Sequence, residues 1–355
     1  MNHINLMDCT LRDGGWVNDF AFGSECLSTL PVTLAEAGVP YIELGYLDDR
    51  HGRDHGFSMY SGFEALAGNT GPASDAAERL VMIDYGKFSP DHIPVRSRLE
   101  MAPVNGIRLC FHKKDMEGAA EMGRMILEKG YHLYIQPMVN TSYSVEELCA
   151  LIDLMNRKCR GMTAFYIVDS FGTMEEQEIR ERLLTADAHL APGVLLGLHT
   201  HNNLSLAFAN SRAAVGLTVG GDASNGKSLG ADRSLLIDAT VMGIGKGAGN
   251  LSTEEFAAFL NREAGTHFQI GLLNRIREEW ILPLHLKYSW GCSPEYELTS
   301  RYCATPSYAR YFVQDHHLPL TELEQFLMTM PEAKKESFDR ACADEYIERL
   351  GYEYL

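Results

Sequence analysis

Two short stretches of this chain carry side chains that can bind a metal ion. His199 and His201 end an apolar, strand-like run, and residues i and i+2 of a strand point to the same face. Arg12 and Asp13 follow another apolar run near the N-terminus. Two imidazoles and one carboxylate with open positions form a working site for a divalent cation. The sequence therefore predicts a metal-dependent enzyme, in which Arg12 adds a fixed positive charge beside the ligands.

Composition excludes several other classes of protein. The formal net charge is −17, from 48 acidic and 31 basic residues, which argues against nucleic-acid binding. Residues 1–7 lack the features of a secretory signal, and no apolar run approaches the roughly 18 residues of a membrane helix. The eight cysteines form no Cys-x-x-Cys pair. We expect a cytoplasmic protein with reduced cysteines and no membrane partner.

Eight apolar runs alternate with amphipathic stretches over residues 4–265. Continuous apolar runs are typical of strands buried on both faces, as in parallel sheets. The alternation predicts an α/β fold, the (β/α)8 TIM barrel, which typically has about 250 residues. A doubly wound open sheet is the competing architecture. The predicted strands are Asn5–Thr10, Tyr41–Tyr46, Leu80–Tyr85, Ile107–His112, His132–Met138, Thr163–Asp169, Val194–His201 and Leu235–Val241.

The stretches between these runs have helical periodicity. Ser144 and Glu147 have the spacing of a capping box. Residues 48–62 and 216–232 are predicted to be loops, the second of them exposed. The predicted helices are Gly23–Ala37, Met116–Lys129, Val145–Arg157, Met174–Leu190, Asn203–Ala214 and Thr253–Glu263.

The pattern changes after residue 270, so we divide the chain into a catalytic barrel of residues 1–270 and a C-terminal helical domain of residues 271–355. The second part is helical, aromatic and acidic. We expect its aromatic residues to form one apolar cluster, beside the active face or at an interface. The prediction is a homo-oligomer formed through this region, with a partner enzyme as a further candidate partner. The aromatic residues are Trp280, Tyr288, Trp290, Tyr296, Tyr302, Tyr308 and Tyr311.

Polar residues gather where the predicted strands end, which in a TIM barrel is the active face. Burying such groups is costly unless they are used or paired. Glu43, Gln136 and Asp169 either contact a substrate or form a buried hydrogen-bond network, and the sequence leaves both interpretations open. The glycine-rich segment 243–250 loosely fits a dinucleotide-binding motif, but no further βαβ unit follows it. We interpret it as a turn with backbone amides that can bind a carboxylate or phosphate.

Three motifs together resemble the DRE-type TIM-barrel metallolyases. They are the run from Asp8 to Gly15 (Asp-Cys-Thr-Leu-Arg-Asp-Gly-Gly), the His199-x-His201-Asn202 sequence, and the run from Gly247 to Asn250 (Gly-Ala-Gly-Asn). The superfamily includes hydroxymethylglutaryl-CoA lyase, isopropylmalate and homocitrate synthases, and 4-hydroxy-2-oxovalerate aldolase. The chain is most similar to aldolase-like members, and the resemblance covers residues 4–265.

The resemblance implies a set of roles. Asp13, His199 and His201 would ligate a divalent cation, and Asn250 lies where some members place a further ligand. Arg12 would hold the oxygen of a metal-bound enolate formed from a 2-oxo acid substrate. We expect Mn²⁺ or Mg²⁺, although Co²⁺ and Zn²⁺ fit the same ligands.

One departure from the family concerns the base. Such aldolases carry a histidine shortly after the Arg-Asp-Gly sequence, placed to act on the substrate hydroxyl. Here that stretch, residues 14–19, reads Gly-Gly-Trp-Val-Asn-Asp. His112, Lys113 and Tyr143, on neighbouring strand ends, are the candidate substitutes.

Three functions are compatible with the sequence. The first is an aldolase or lyase that makes or cleaves a carbon–carbon bond next to a 2-oxo acid. The second is a Claisen-type acyltransferase that condenses an acyl-CoA with a 2-oxo acid, but few basic residues are available to bind CoA. The third is a barrel that serves only as a scaffold, and the intact Arg12, Asp13, His199 and His201 argue against it.

Overall fold

The structure, a computed structural model, describes residues 4–70, 76–99, 102–218 and 228–351. Eight parallel strands form a closed barrel in the order β1-β9-β8-β7-β6-β5-β4-β2, and β2 pairs with β1 to close it. The predicted (β/α)8 barrel is confirmed, and the open sheet is excluded. A two-residue strand, β3, pairs with the end of β2 outside the barrel. The strands are β1 (Ile4–Asp8), β2 (Tyr41–Leu47), β3 (Met59–Tyr60), β4 (Glu78–Asp84), β5 (Gly106–Phe111), β6 (His132–Pro137), β7 (Ala164–Asp169), β8 (Leu195–Thr200) and β9 (Leu235–Ala239).

Helices cover the outside of the barrel, and all six predicted helices are present, one of them with the predicted ends and five with a shift at one or both ends. The Ser144 capping box is formed in both directions. The seven-residue helix α4 was not predicted, because fewer than two turns leave too little periodicity to read. The barrel helices are α1 (Thr10–Asp13), α2 (Gly15–Asn18), α3 (Ser24–Glu36), α4 (Phe63–Asn69), α5 (Met116–Glu128), α6 (Val145–Lys158), α7 (Glu176–His189), α8 (Ala207–Gly216) and α9 (Thr253–Glu263).

Two predicted loops have different outcomes. The segment 48–62 contains β3, so it is not entirely irregular. Most of the excursion predicted at 216–232 lies outside the described residues, because 219–227 are among those that the structure does not describe.

The two faces of the strands build two separate cores. Outward-facing residues such as Leu6, Val81 and Ile107 pack against the helices in the largest apolar cluster. Inward-facing residues, among them Leu80 and Tyr166, form a smaller cluster inside the barrel. This alternation is the period of two that a β-strand imposes. It also decides which side chains at the strand ends reach the active face.

The C-terminal region is helical, as predicted, but its aromatic residues do not form one cluster. Trp290 is buried in the outer core of the barrel and Trp280 packs against it. Tyr296 and Tyr308 belong to a second cluster built from the later helices, and Tyr288 is 38% exposed. A domain boundary at residue 270 stays a prediction. The helices are α10 (Ile270–Ile276), α11 (Leu282–Tyr288), α12 (Pro294–Arg301), α13 (Ser307–Ala309), α14 (Leu320–Thr329) and α15 (Arg340–Leu350), with π-helical turns at Arg277–Ile281 and Arg310–Asp315.

Candidate active site

Three of the predicted metal ligands converge at the carboxyl ends of the strands. His199 lies at the end of β8 and His201 just after it, while Asp13 ends the short helix α1 that follows β1. One potential ligand atom from each of the three side chains lies within 4.8 Å of the others, and all three residues are buried. Burial lowers the pKa of His201 to about 4, so its imidazole is neutral at pH 7, as metal binding requires.

His199 is held in place by a carboxylate that the sequence analysis missed. Its Nδ1 lies 3.0 Å from Oδ2 of Asp238 in β9, which directs Nε2 toward the other ligands. A carboxylate on the far nitrogen fixes the tautomer and orientation of a metal-binding histidine. Burial acts to raise the pKa of Asp238, but Arg108 and His199 outweigh it and hold the pKa below its ordinary value. Asp238 is therefore ionised and suited to this role.

Arg108 anchors Asp238 from the centre of the barrel. Its Nη1 and Nη2 donate to the two oxygens of Asp238 at 2.6 and 2.9 Å. Its Nη1 also donates to Gln136 at 2.8 Å, and its guanidinium lies 4.3 Å from the ring centre of Tyr166. A guanidinium matches a carboxylate in this two-bond geometry. Arg108 is completely buried. Its charge is therefore stabilised by these partners in place of hydration by water.

A second arginine continues the charged network up to the metal ligands. Arg12 donates from Nε to Glu43 at 2.6 Å and from Nη1 to Asp13 at 2.7 Å. Glu43 in turn lies 3.4 Å from Nε of Arg108. Burial acts to raise the pKa of Asp13, but Arg12 and the two imidazoles lower it to about 2. The network holds three carboxylates and two guanidinium groups when Asp238 is included, so it retains a negative charge that a cation would balance.

Three buried polar atoms beside the candidate ligands have no hydrogen-bond partner among the residues that the structure describes. They are Nη2 of Arg12, Nδ1 of His201 and Oδ1 of Asn250. Asn250 also contacts the site through its Nδ2, which donates to Asp13. Buried polar atoms are normally bonded, so this grouping indicates a site that a ligand completes. The carboxylate, the imidazoles and the amide oxygen are all suitable ligands for a divalent cation.

The glycine-rich segment lets the backbone approach the ligands closely. A Cβ on Gly245 would lie 2.5 Å from Oδ2 of Asp13 and 2.1 Å from Nδ2 of Asn250. Gly249 has φ +87°, which favours glycine. The N–H of Ala248 donates to Asn203 at 2.8 Å. The segment therefore packs directly against Asp13 and Asn250, and its role in binding an anion stays a prediction.

A cavity of about 500 Å³ opens above the ligands. Arg12, His199 and His201 line one side of it, and strand ends and loops opposite contribute charged side chains. Residues of the C-terminal region complete the wall, so the active face is partly covered by it. The wall residues outside the ligand cluster include Trp16, Asp84, Lys87, His112, Lys246, Ser307, Glu336, Ser337 and Phe338.

The candidate bases from the sequence differ in position. His112 lines the cavity, and its Nε2 lies 3.3 Å from Ser337. Burial lowers the pKa of His112, although Glu336 opposes the shift. Lys113 does not line the cavity and pairs with Glu147 at 2.5 Å. Tyr143 is buried outside the cavity lining. Catalytic roles for these three residues stay predictions.

Glu43, Gln136 and Asp169, which the sequence left open as substrate-binding or structural residues, form hydrogen bonds within the protein. Glu43 and Gln136 bind the two arginines. Asp169 accepts hydrogen bonds from the N–H groups of Thr173 and Met174 at 2.9 and 3.2 Å. The contacts of Glu43 and Asp169 are made within the protein, whereas Gln136 also lines the cavity.

Asp238 and Arg108 could have been found from a signal that the sequence analysis did not use. Each is a charged residue in the middle of a strand that is apolar on both faces. Such residues are rarely buried unless they are paired. Asp84, at the end of β4, was also missed.

Sequence comparison identifies relatives of this chain. The profile of the HMGL-like family matches residues 111–278. The 4-hydroxy-2-oxovalerate aldolase of Geobacillus genomosp. 3 is 31% identical over 264 residues, which are 73% of this chain and 71% of that protein. The 4-hydroxy-2-oxovalerate aldolase 2 of Comamonas testosteroni is 29% identical over 284 residues, 79% of this chain and 75% of that protein.

The fold of this chain is also similar to that of solved structures with low sequence identity. The carboxyl transferase domain of Rhizobium etli pyruvate carboxylase, solved with pyruvate, has a TM-score of 0.67 at 14% identity. The match covers 99% of this chain and 61% of that one. No helix among the described residues has both the length and the apolar composition to cross a membrane. From its motifs, its barrel and its curated relatives, the chain belongs to the HMGL-like family of DRE-type metallolyases and is a carbon–carbon lyase of the aldolase type.

Proposed function

We propose that this enzyme cleaves or forms the bond between C3 and C4 of a 4-hydroxy-2-oxo acid, through the enolate of the smaller 2-oxo acid. The observation that carries the proposal is Nη2 of Arg12, a buried donor beside the three candidate ligands that has no partner within the described part of the chain. A preorganised positive donor stabilises negative charge where it develops in a transition state. The names of the curated aldolase relatives support the same substrate class.

The metal completes the proposed site. Asp13, His199 and His201 would hold it, with Oδ1 of Asn250 as a further ligand, and Mn²⁺ or Mg²⁺ is the proposed ion. When bound, a divalent cation supplies Lewis-acid polarisation of a keto oxygen.

Arg12 is fixed for its proposed task by the bonds of its other nitrogens. Nε and Nη1 are bound to Glu43 and Asp13, so the guanidinium cannot turn away from the cavity. Nη2 is left to bind the oxygen of the 2-oxo acid that becomes negative. A lysine in this position would lose the planar geometry.

The test is hydrogen exchange at C3 of pyruvate in deuterated water, followed by proton NMR. The reaction needs only enolate formation, so the carbonyl co-substrate need not be known. We expect exchange that depends on added Mn²⁺ and falls by on the order of 10²–10³ in Arg12→Ala. Metal-dependent exchange that survives this substitution would remove Arg12 from the mechanism. Absence of exchange with any small 2-oxo acid, together with thiol release from an acyl-CoA, would favour the acyltransferase.

Association through the C-terminal helices also stays a prediction. Leu286 and Met328 are 78% and 62% exposed, and exposed apolar side chains are compatible with an interface. Sedimentation analysis of the protein alone would show whether it forms an oligomer.

A further inference from the structure

The wall of the cavity opposite the metal ligands contains a carboxylate that has no assigned task. Asp84 is the last residue of β4, and Leu80 and Met82 on the same face of that strand pack inside the barrel. The period of two therefore directs Asp84 inward, at the level where the strands end. It lines the same cavity as Arg12 and His201.

Asp84 differs from the other carboxylates of the site in its bonding. Asp13, Glu43 and Asp238 are each held by an arginine. Within the part of the chain that the structure describes, the Asp84 carboxylate has neither a hydrogen bond nor an ion pair. A charged group left free beside a cavity is available to a substrate.

The charges around Asp84 suit proton transfer near neutral pH. Burial raises its pKa to about 6, while Arg12, Lys246 and Lys87 act to lower it and Asp48 acts to raise it further. The carboxylate is therefore ionised at pH 7, and its conjugate acid is weak enough for it to accept a proton. General bases work best when their pKa lies near the operating pH.

The segment that supplies the base in similar aldolases cannot supply one here. Of residues 14–19, Trp16 is the one that lines the cavity, and its ring lies 5.4 Å from Nζ of Lys246. Asn18 donates a hydrogen bond from Nδ2 to the carbonyl oxygen of Ala21. His112 is engaged at the mouth of the cavity by Ser337 and Glu336.

We propose that Asp84 is the general base that takes the proton from the C4 hydroxyl of the substrate. The inference rests on the proposed function. The O–H electron pair becomes the second bond of the new carbonyl at C4, and the C3–C4 bond breaks. Its electron pair moves toward C2, which gives the enolate of the 2-oxo acid, with its oxygen facing Arg12. The proton held by Asp84 returns to C3, so the products are one carbonyl compound and one 2-oxo acid.

Two reactions separate this role from a general effect on the site. Cleavage of 4-hydroxy-2-oxovalerate requires removal of a hydroxyl proton. Decarboxylation of oxaloacetate gives the same pyruvate enolate but has no hydroxyl proton to remove. In Asp84→Asn we expect cleavage to fall at least 100-fold, while decarboxylation stays within threefold of the wild type. Lactate dehydrogenase can measure the pyruvate formed in both reactions.

A matched variant controls for the loss of one carboxylate. Asp153→Asn removes one negative charge from an exposed position on α6 outside the cavity, and cleavage should fall less than threefold. Asp84→Asn should also keep the thermal midpoint and the Mn²⁺ affinity of the wild type. Cleavage that survives in Asp84→Asn, or an equal loss of both reactions, would overturn the role of Asp84. A wild-type enzyme that performs neither reaction would instead overturn the proposed function.

Discussion

The two sides of the cavity differ in how firmly their charged side chains are held by neighbouring residues. On the metal side, Asp13 and His199 are each fixed by a charged neighbour, and the chain of contacts continues through Arg108 into the barrel. On the other side, the Asp84 carboxylate faces the cavity without a salt bridge among the described residues. The difference indicates where precision is needed. Ligands must hold one geometry, whereas groups that meet a substrate must remain free.

The largest expected effect on stability comes from a substitution in the charged network beneath the candidate metal ligands. Asp238→Asn removes the charge that pairs with completely buried Arg108. Leaving a buried charge without its partner typically costs about 3–5 kcal/mol, so the free energy of unfolding should fall by that order. Metal affinity should also fall, on the order of 10–100-fold, because His199 loses its orienting carboxylate.

Urea denaturation and Mn²⁺ titration measure the two quantities. Asp84→Asn is the matched control, and its free energy of unfolding should change by less than about 1 kcal/mol because no partner is left unpaired. Equal destabilisation by the two variants would contradict the distinction between the two sides.

A smaller effect is expected from crowding the ligands. In Gly245→Ala the new methyl group meets Asp13 and Asn250, so these side chains must move. We expect Mn²⁺ affinity to fall on the order of tenfold, with the circular dichroism spectrum preserved. Gly271→Ala, where a Cβ meets nothing within 4 Å, should bind Mn²⁺ as the wild type does. Unchanged affinity in Gly245→Ala would show that the ligands tolerate displacement.

The proposed role of Asp84 predicts a specific pH dependence of the cleavage reaction. Asp84 must be ionised to accept a proton, and its pKa is raised to about 6. Cleavage should therefore be lost as the pH falls through that value, about tenfold per unit below it. Oxaloacetate decarboxylation does not need this base, so its acid limb should lie at lower pH. Coincident limbs for the two reactions would assign the titration to another group.

The smallest effect is expected outside the cavity. Lys113 and Glu147 form an ion pair whose side chains are 36% and 47% exposed, and surface pairs contribute about 0–1 kcal/mol. Lys113→Met should leave cleavage within threefold and unfolding within that range. A loss of cleavage beyond tenfold would instead support the role for Lys113 that its position after β5 first indicated.

The sequence predicted the barrel and the convergence of Asp13, His199 and His201 because both depend on short-range patterns. Apolar runs mark the strands, and the i, i+2 spacing places His199 and His201 on one face. The pairing of Arg108 with Asp238 joins residues 130 positions apart, and no local pattern encodes which strands meet. The aromatic residues were grouped wrongly for a related reason. Trp290 packs with the barrel and Tyr296 with the later helices, although only five residues separate them.

The wall formed by the C-terminal region has a consequence for how the enzyme is made. Thr305, Pro306 and Ser307, with Glu336, Ser337 and Phe338, border the same cavity as the ligands near residue 13. A protein chain is synthesised from the N-terminus to the C-terminus, and the parts made earlier generally fold first. The barrel strands are therefore synthesised seconds before the residues that cover the metal ligands. During that interval this wall does not cover Asp13, His199 and His201, so the candidate metal site is more accessible to ions than in the finished chain.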